Sequence, residues 1–202
     1  MEELAPGIYH WTAVHPNIGA EVSSYFVEGS GTLIDPLTPD EGVEWFDGDR
    51  RPQRVVLTNR HHLRHAERFA EAFAIPITCH QAGLHEFSRG PEVKPFSWGD
   101  ELAPGITALE VDAICDEETA VRIDIGDGFL AVADAVINYG ELGFVPDRYI
   151  GDDPEAIKAA IRDALRPLLD EPFDSILPAH GEPIVGGGKE ALRRFIEREP
   201  TG

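Results

Sequence analysis

Val55-Val56-Leu57-Thr58-Asn59-Arg60-His61-His62-Leu63-Arg64-His65 runs from an apolar stretch into a polar turn. Three of the chain's eight histidines fall in its last five residues. A short apolar run bounded by turn signals reads as a buried strand. Loops at the ends of such strands are where binding and catalytic residues gather.

Working outward, short apolar runs recur on both sides. Residues 7–11, 22–27 and 31–35 read as strands, the last two joined by the turn Glu28-Gly29-Ser30-Gly31. Residues 39–46 read as a short helix. Phe69, Ala70 and Phe73 stand at helical spacing, which predicts a helix over 65–73. Residues 75–79 return as a strand, and a loop with Pro91, Pro95 and Gly99 follows. Residues 106–111, 120–125 and 129–133 read as strands, with Gly126-Asp127-Gly128 as the tight turn between the last two. Ile157, Ile161, Leu165 and Leu168 form an apolar stripe, which predicts a helix over 154–169 opening on Pro154. A last strand at 174–177 and a helix at 189–197 complete the pattern. Hairpin strands mixed with helices that follow single strands predict mixed sheets covered by helices, an α/β layered fold.

The chain has 202 residues, 17 basic against 37 acidic, for a net charge of -20. That length suits one domain with a sizeable core, taken here as residues 1–202. Such a charge repels polyanions, so nucleic-acid partners are disfavoured. No apolar run approaches the ~20 residues of a membrane helix, and the N-terminal residues lack the pattern of a signal peptide. Cys79 and Cys115 form no Cys-x-x-Cys pair. The expectation is a cytoplasmic protein acting on a small molecule, without nucleic acid or membrane partners.

Two further apolar runs end in metal-ligand residue types. Ala131-Val132-Ala133 ends in Asp134, and Ile176-Leu177-Pro178-Ala179 ends in His180. Imidazole and carboxylate are the usual ligands of zinc and comparable metals. Strand-end placement brings such distant residues to one sheet edge.

With these segments in order, the chain resembles the metallo-β-lactamase-fold superfamily. The resemblance rests on Leu33-Ile34-Asp35-Pro36, the strand-loop-helix around residue 59, Asp134 at the bridging aspartate, and Pro178-Ala179-His180-Gly181-Glu182-Pro183. It implies a four-layer αββα sandwich, α/β (α+β), with two mixed β-sheets flanked by helices and metal at one edge of the sheets.

The family loop reads Thr-His-x-His-x-Asp-His, and this chain departs from it. With Thr58 as anchor, Asn59 takes the first ligand position and His61 the second, while Leu63 and Arg64 replace the last two. A shifted register keeps His62 and His65, puts Arg60 first and loses the aspartate to Arg64. Cys115 falls near the family's middle histidine, although a free cysteine more often packs as a small buried residue. Asp35 is a candidate to orient the loop from behind the ligands.

The resemblance implies metal ligands drawn from His61, His62, His65, Asp134 and His180, with Asp134 also catalytic. That donor set suits one zinc or iron, since catalytic zinc takes about three protein ligands plus water. A second metal is not expected. Arg64 does not deprotonate, and at about 4 Å it repels a dication by several kcal/mol at an effective dielectric of ~20. The implied activity is hydrolysis of a small ester, thioester or lactone. The alternative is a non-catalytic binding or regulatory protein on the same fold, with Arg60 and Arg64 gripping an anion in the old metal cavity.

Overall fold

The computed structural model describes residues 1–198. The chain opens with β1 (Glu2–Ala5), β2 (Ile8–Val14), β3 (Glu21–Val27) and β4 (Thr32–Ile34), each antiparallel to the last. It then turns parallel through β5 (Arg54–Val56), β6 (Ile77–His80) and β7 (Val93–Phe96). Helix α1 (Ala66–Phe73) makes the crossover from β5 to β6. These strands form one seven-stranded sheet in chain order.

The second sheet begins with β8 (Glu101–Ala103), β9 (Ile106–Glu110), β10 (Thr119–Ile123) and β11 (Phe129–Val132), all antiparallel. A short pair, β12 (Ile137–Asn138) and β13 (Leu142–Gly143), and helix α2 (Pro154–Leu165) follow. β14 (Ser175–Pro178) returns parallel to β11, and α3 (Gly188–Glu197) lies beyond it.

Side-chain alternation sorts these strands into layers. Tyr25, Val27, Ile34 and Val56 face Ala108, Val121, Ala131 and Leu177 between the two sheets. Their neighbours Phe26, Leu33 and Val55 face the other way, onto Phe69 and Phe73 of α1. On the far side, Ala120, Leu130, Val132 and Ile176 pack against Ile161 and Leu165 of α2 and Leu192 and Phe195 of α3. Three apolar interfaces make four layers, helix on sheet on sheet on helix.

Several local readings change. Residues 93–96 are strand β7 rather than loop. β7 lies at a sheet edge, where the missing N–H of Pro95 breaks no continuous ladder. β1 is the opposite edge, and its exposed Glu2 and Glu3 concealed it. Only residues Val43–Phe46 of the helix expected at 39–46 turn, as a single 3₁₀ element after Gly42 at φ 78°. α2 stops at Leu165 and tightens to 3₁₀ over Arg166–Asp170, because Pro167 donates no hydrogen bond. Phe87 and Phe96 join the apolar cores. Among the described residues, no helix is long and apolar enough to cross a membrane.

Candidate metal centre

The strand ends of the two sheets are tied together. Thr119 N–H donates to Thr58 O at 2.9 Å, Ser23 N–H to Ala179 O at 2.9 Å, and the Tyr25 hydroxyl to Pro178 O at 2.7 Å. These links bring the loops after β5, β11 and β14 to one edge. Gly181, at φ 88°, lets the third loop press on β12: an added Cβ would meet the Asn138 carbonyl.

After β5, residues Arg60–Leu63 form a 3₁₀ turn capped by Asn59, whose Oδ1 accepts from His61 N–H at 2.9 Å. The turn kinks at His62, which has φ -92° and ψ 23°. His62 turns inward and is buried, while His61 turns out to solvent. His65 caps α1, and its Nδ1 accepts from Thr38 N–H at 3.1 Å, which holds the ring away from the strand ends.

His62, Asp134 and His180 converge, with their ligand atoms all within 4.8 Å of one another. His62 Nε2 lies 3.4 Å from Asp134 Oδ2, and His180 Nε2 lies 3.1 Å from Asp134 Oδ1. His61 and His65 do not join them, a correction to the expectation for these two residues. His61 points out to solvent from a turn that kinks at His62, and the Thr38 bond holds His65.

Behind the imidazole stands Asp35. Its Oδ2 meets His62 Nδ1 at 2.9 Å, and its Oδ1 accepts from Thr58 N–H at 2.8 Å. Burial alone would push the His62 pKa down; the carboxylates of Asp35 and Asp134 outweigh it and raise it to about 9. Burial would likewise raise Asp134, but His62 and His180 hold it well below the usual carboxylate range.

Arg64 reaches into the seam between the sheets. Nη1 donates to Ser23 O at 2.6 Å and Asp35 O at 2.8 Å, and Nη2 to Ala179 O at 3.4 Å. Arg60 Nη1 pairs with buried Glu117 at 2.5 Å. Cys115 stands apart from the His–Asp–His group, and burial, with Glu118 and Glu117 beside it, pushes its thiol pKa up.

His62, Asp134 and His180 form a group with the residue types and convergence that could hold a metal ion. The Asp35–His62 pair is the arrangement that fixes a ligating imidazole with Nε2 free. Asn59 places an amide donor against Asp134, and the Arg64 guanidinium interacts with the same carboxylate through its charge.

Sequence reading missed two participants. Asn59 registered only as a lost ligand, yet its Nδ2 donates to Asp134 Oδ2 at 2.9 Å. Glu118 is fully buried and receives N–H bonds from Ala135 at 2.6 Å and Ile114 at 3.0 Å, bracing the Asp134 loop. Burial, then Asp134, raises its pKa to about 7. A pair of acids before a strand carries no signal of that role.

No protein-family model matches the chain, and no curated protein matches it in sequence. Solved structures do match. The DIM-1 metallo-β-lactamase superposes with a TM-score of 0.74 at 12% identity, covering 97% of this chain and 95% of that one. The metallo-β-lactamase family protein TTHA1429 from Thermus thermophilus gives 0.70 at 17%, covering 96% and 79%. TTHA1623, solved in a di-iron-bound form, gives 0.67 at 22%, covering 90% and 96%. The chain therefore has the metallo-β-lactamase fold.

Proposed function

We propose that this protein is a mononuclear metal-dependent hydrolase acting on a small ester, thioester or lactone. The observation that supports the reading is the convergence of His62, Asp134 and His180, whose ligand atoms all lie within 4.8 Å of one another. His62, Asp134 and His180 would hold a zinc or iron ion, which supplies Lewis acidity and lowers the pKa of water. Asp35 keeps the His62 proton on Nδ1 and leaves Nε2 as donor. Asn59 steadies Asp134, and Arg64 fixes the loop to both sheets.

The non-catalytic reading asked Arg60 and Arg64 to grip an anion in the metal cavity. Arg60 Nη1 is instead committed to Glu117, and Arg64 to three carbonyls.

Elemental analysis of protein purified without chelator or affinity histidines tests the proposal. About one equivalent of zinc or iron is expected, lost in His180→Ala, together with chelator-sensitive hydrolysis within a panel of small esters, thioesters and lactones. Failure to bind zinc offered at micromolar concentration would overturn it.

A further inference from the structure

The 3₁₀ turn that sends His62 inward sends His61 into a separate cavity of about 300 Å³ on the outer side of the loop. His62, Asp134 and His180 do not line it. One wall is the metal loop, with Arg60, His61, Arg64 and His65; His15 comes from the loop after β2. Leu37, Leu63 and Phe87 supply apolar wall, and Glu86 is the acid on its lining.

Apart from Glu86, the cavity offers hydrogen-bond donors. His15 Nδ1 accepts from Asn17 N–H at 3.2 Å, and His65 Nδ1 from Thr38 N–H at 3.1 Å, so each neutral ring carries its proton on Nε2. Rings in that tautomer offer N–H, not a lone pair, which favours an anion over a metal cation. Arg60 spends Nη1 and its backbone N–H on Glu117 and has no partner at Nε or Nη2 among the described residues. Arg64 makes no ion pair with a carboxylate among the described residues; carbonyl oxygens alone receive it. Arg64 spends its guanidinium on the seam carbonyls and Arg60 shares its charge with Glu117, so the donors left to the cavity are Arg60 Nε and Nη2 and the imidazole N–H groups, with Glu86 as the carboxylate on its lining.

We infer that this cavity binds a small organic monocarboxylate, its carboxylate on Arg60 and the imidazole N–H groups and its apolar tail against Leu37, Leu63 and Phe87. Glu86 opposes a second negative charge, which selects a monoanion over phosphate. The site is independent of the metal reading, because none of the three proposed ligands lines it.

Titration with sodium hexanoate, followed by calorimetry and by the histidine ring resonances, tests it. Saturable 1:1 binding is expected, with shifts at His15, His61 and His65. R60Q weakens binding about tenfold, the worth of one charge-assisted hydrogen bond. E86Q tightens it about threefold by removing an exposed like charge. If R60Q does not fold, E86Q decides alone: tighter binding supports the site, and unchanged binding overturns it. Absence of saturable binding, phosphate binding as tightly as hexanoate, or shifts confined to His62 and His180 would each overturn it. Metal content is measured in the same samples, so failure of this site is distinguishable from failure of the metal centre.

Discussion

Asn59 Nδ2 donates to Asp134 Oδ2 at 2.9 Å, across 75 residues of chain and between the two sheets. The same side chain caps the 3₁₀ turn through Oδ1. One buried amide thus ties the loop that carries His62 to the carboxylate between His62 and His180. Asn59→Ala leaves an acceptor short of a donor and a turn without its cap. It should lower stability by about 1–3 kcal/mol in urea unfolding of metal-free protein.

Substitution of the loop histidines one at a time separates their roles. His61→Ala and His65→Ala should keep the full metal content, because neither ring reaches Asp134. His62→Ala should lose it. Asp35→Asn should lower metal affinity by about 10- to 100-fold, the usual effect of removing the partner behind a ligating imidazole. Competition against a chromophoric zinc chelator reads all four.

Proton release gives a test independent of activity. With its pKa at about 9, His62 is protonated at neutral pH in the metal-free protein and must shed that proton to ligate. Calorimetry in two buffers of different ionisation enthalpy should find about one proton released per zinc at pH 7.

The same shift predicts how metal-free stability depends on pH. The folded-state pKa of His62 is raised above its ordinary 6.5 to about 9. Its contribution is therefore complete below about pH 6.5 and is lost as pH rises through about 9. Urea midpoints measured in chelator should fall over that window, and His62→Gln should flatten that part of the profile.

Arg64 sits at φ 44°, a left-handed backbone rare for a long side chain, and Asp35, whose carbonyl it binds, sits at φ 46°. The structure holds both through the guanidinium's bonds to Ser23, Asp35 and Ala179. Arg64→Ala should cost on the order of 3 kcal/mol, read by urea unfolding. Arg64→Lys should recover only part of that, since an ammonium lacks the planar fork that spans three carbonyls.

The alternation of Tyr25-Phe26-Val27 and of Leu33-Ile34, and the stripe of α2, announce strands with two buried faces and a helix with one. Those patterns decide the layered fold, because burial of apolar faces repeats with the period of each element. Asp134 and His180 stand out as candidates for the same reason: each ends an apolar run. Which histidine of the loop meets them was not legible. His61 and His62 are adjacent and chemically identical, and the choice depends on a turn that kinks at His62 and on Asp35 behind it. Nor did the letter Asn59 disclose that its amide would reach Asp134. Such contacts between residues far apart in sequence are made only when the two sheets close on one another, and tertiary structure alone decides them.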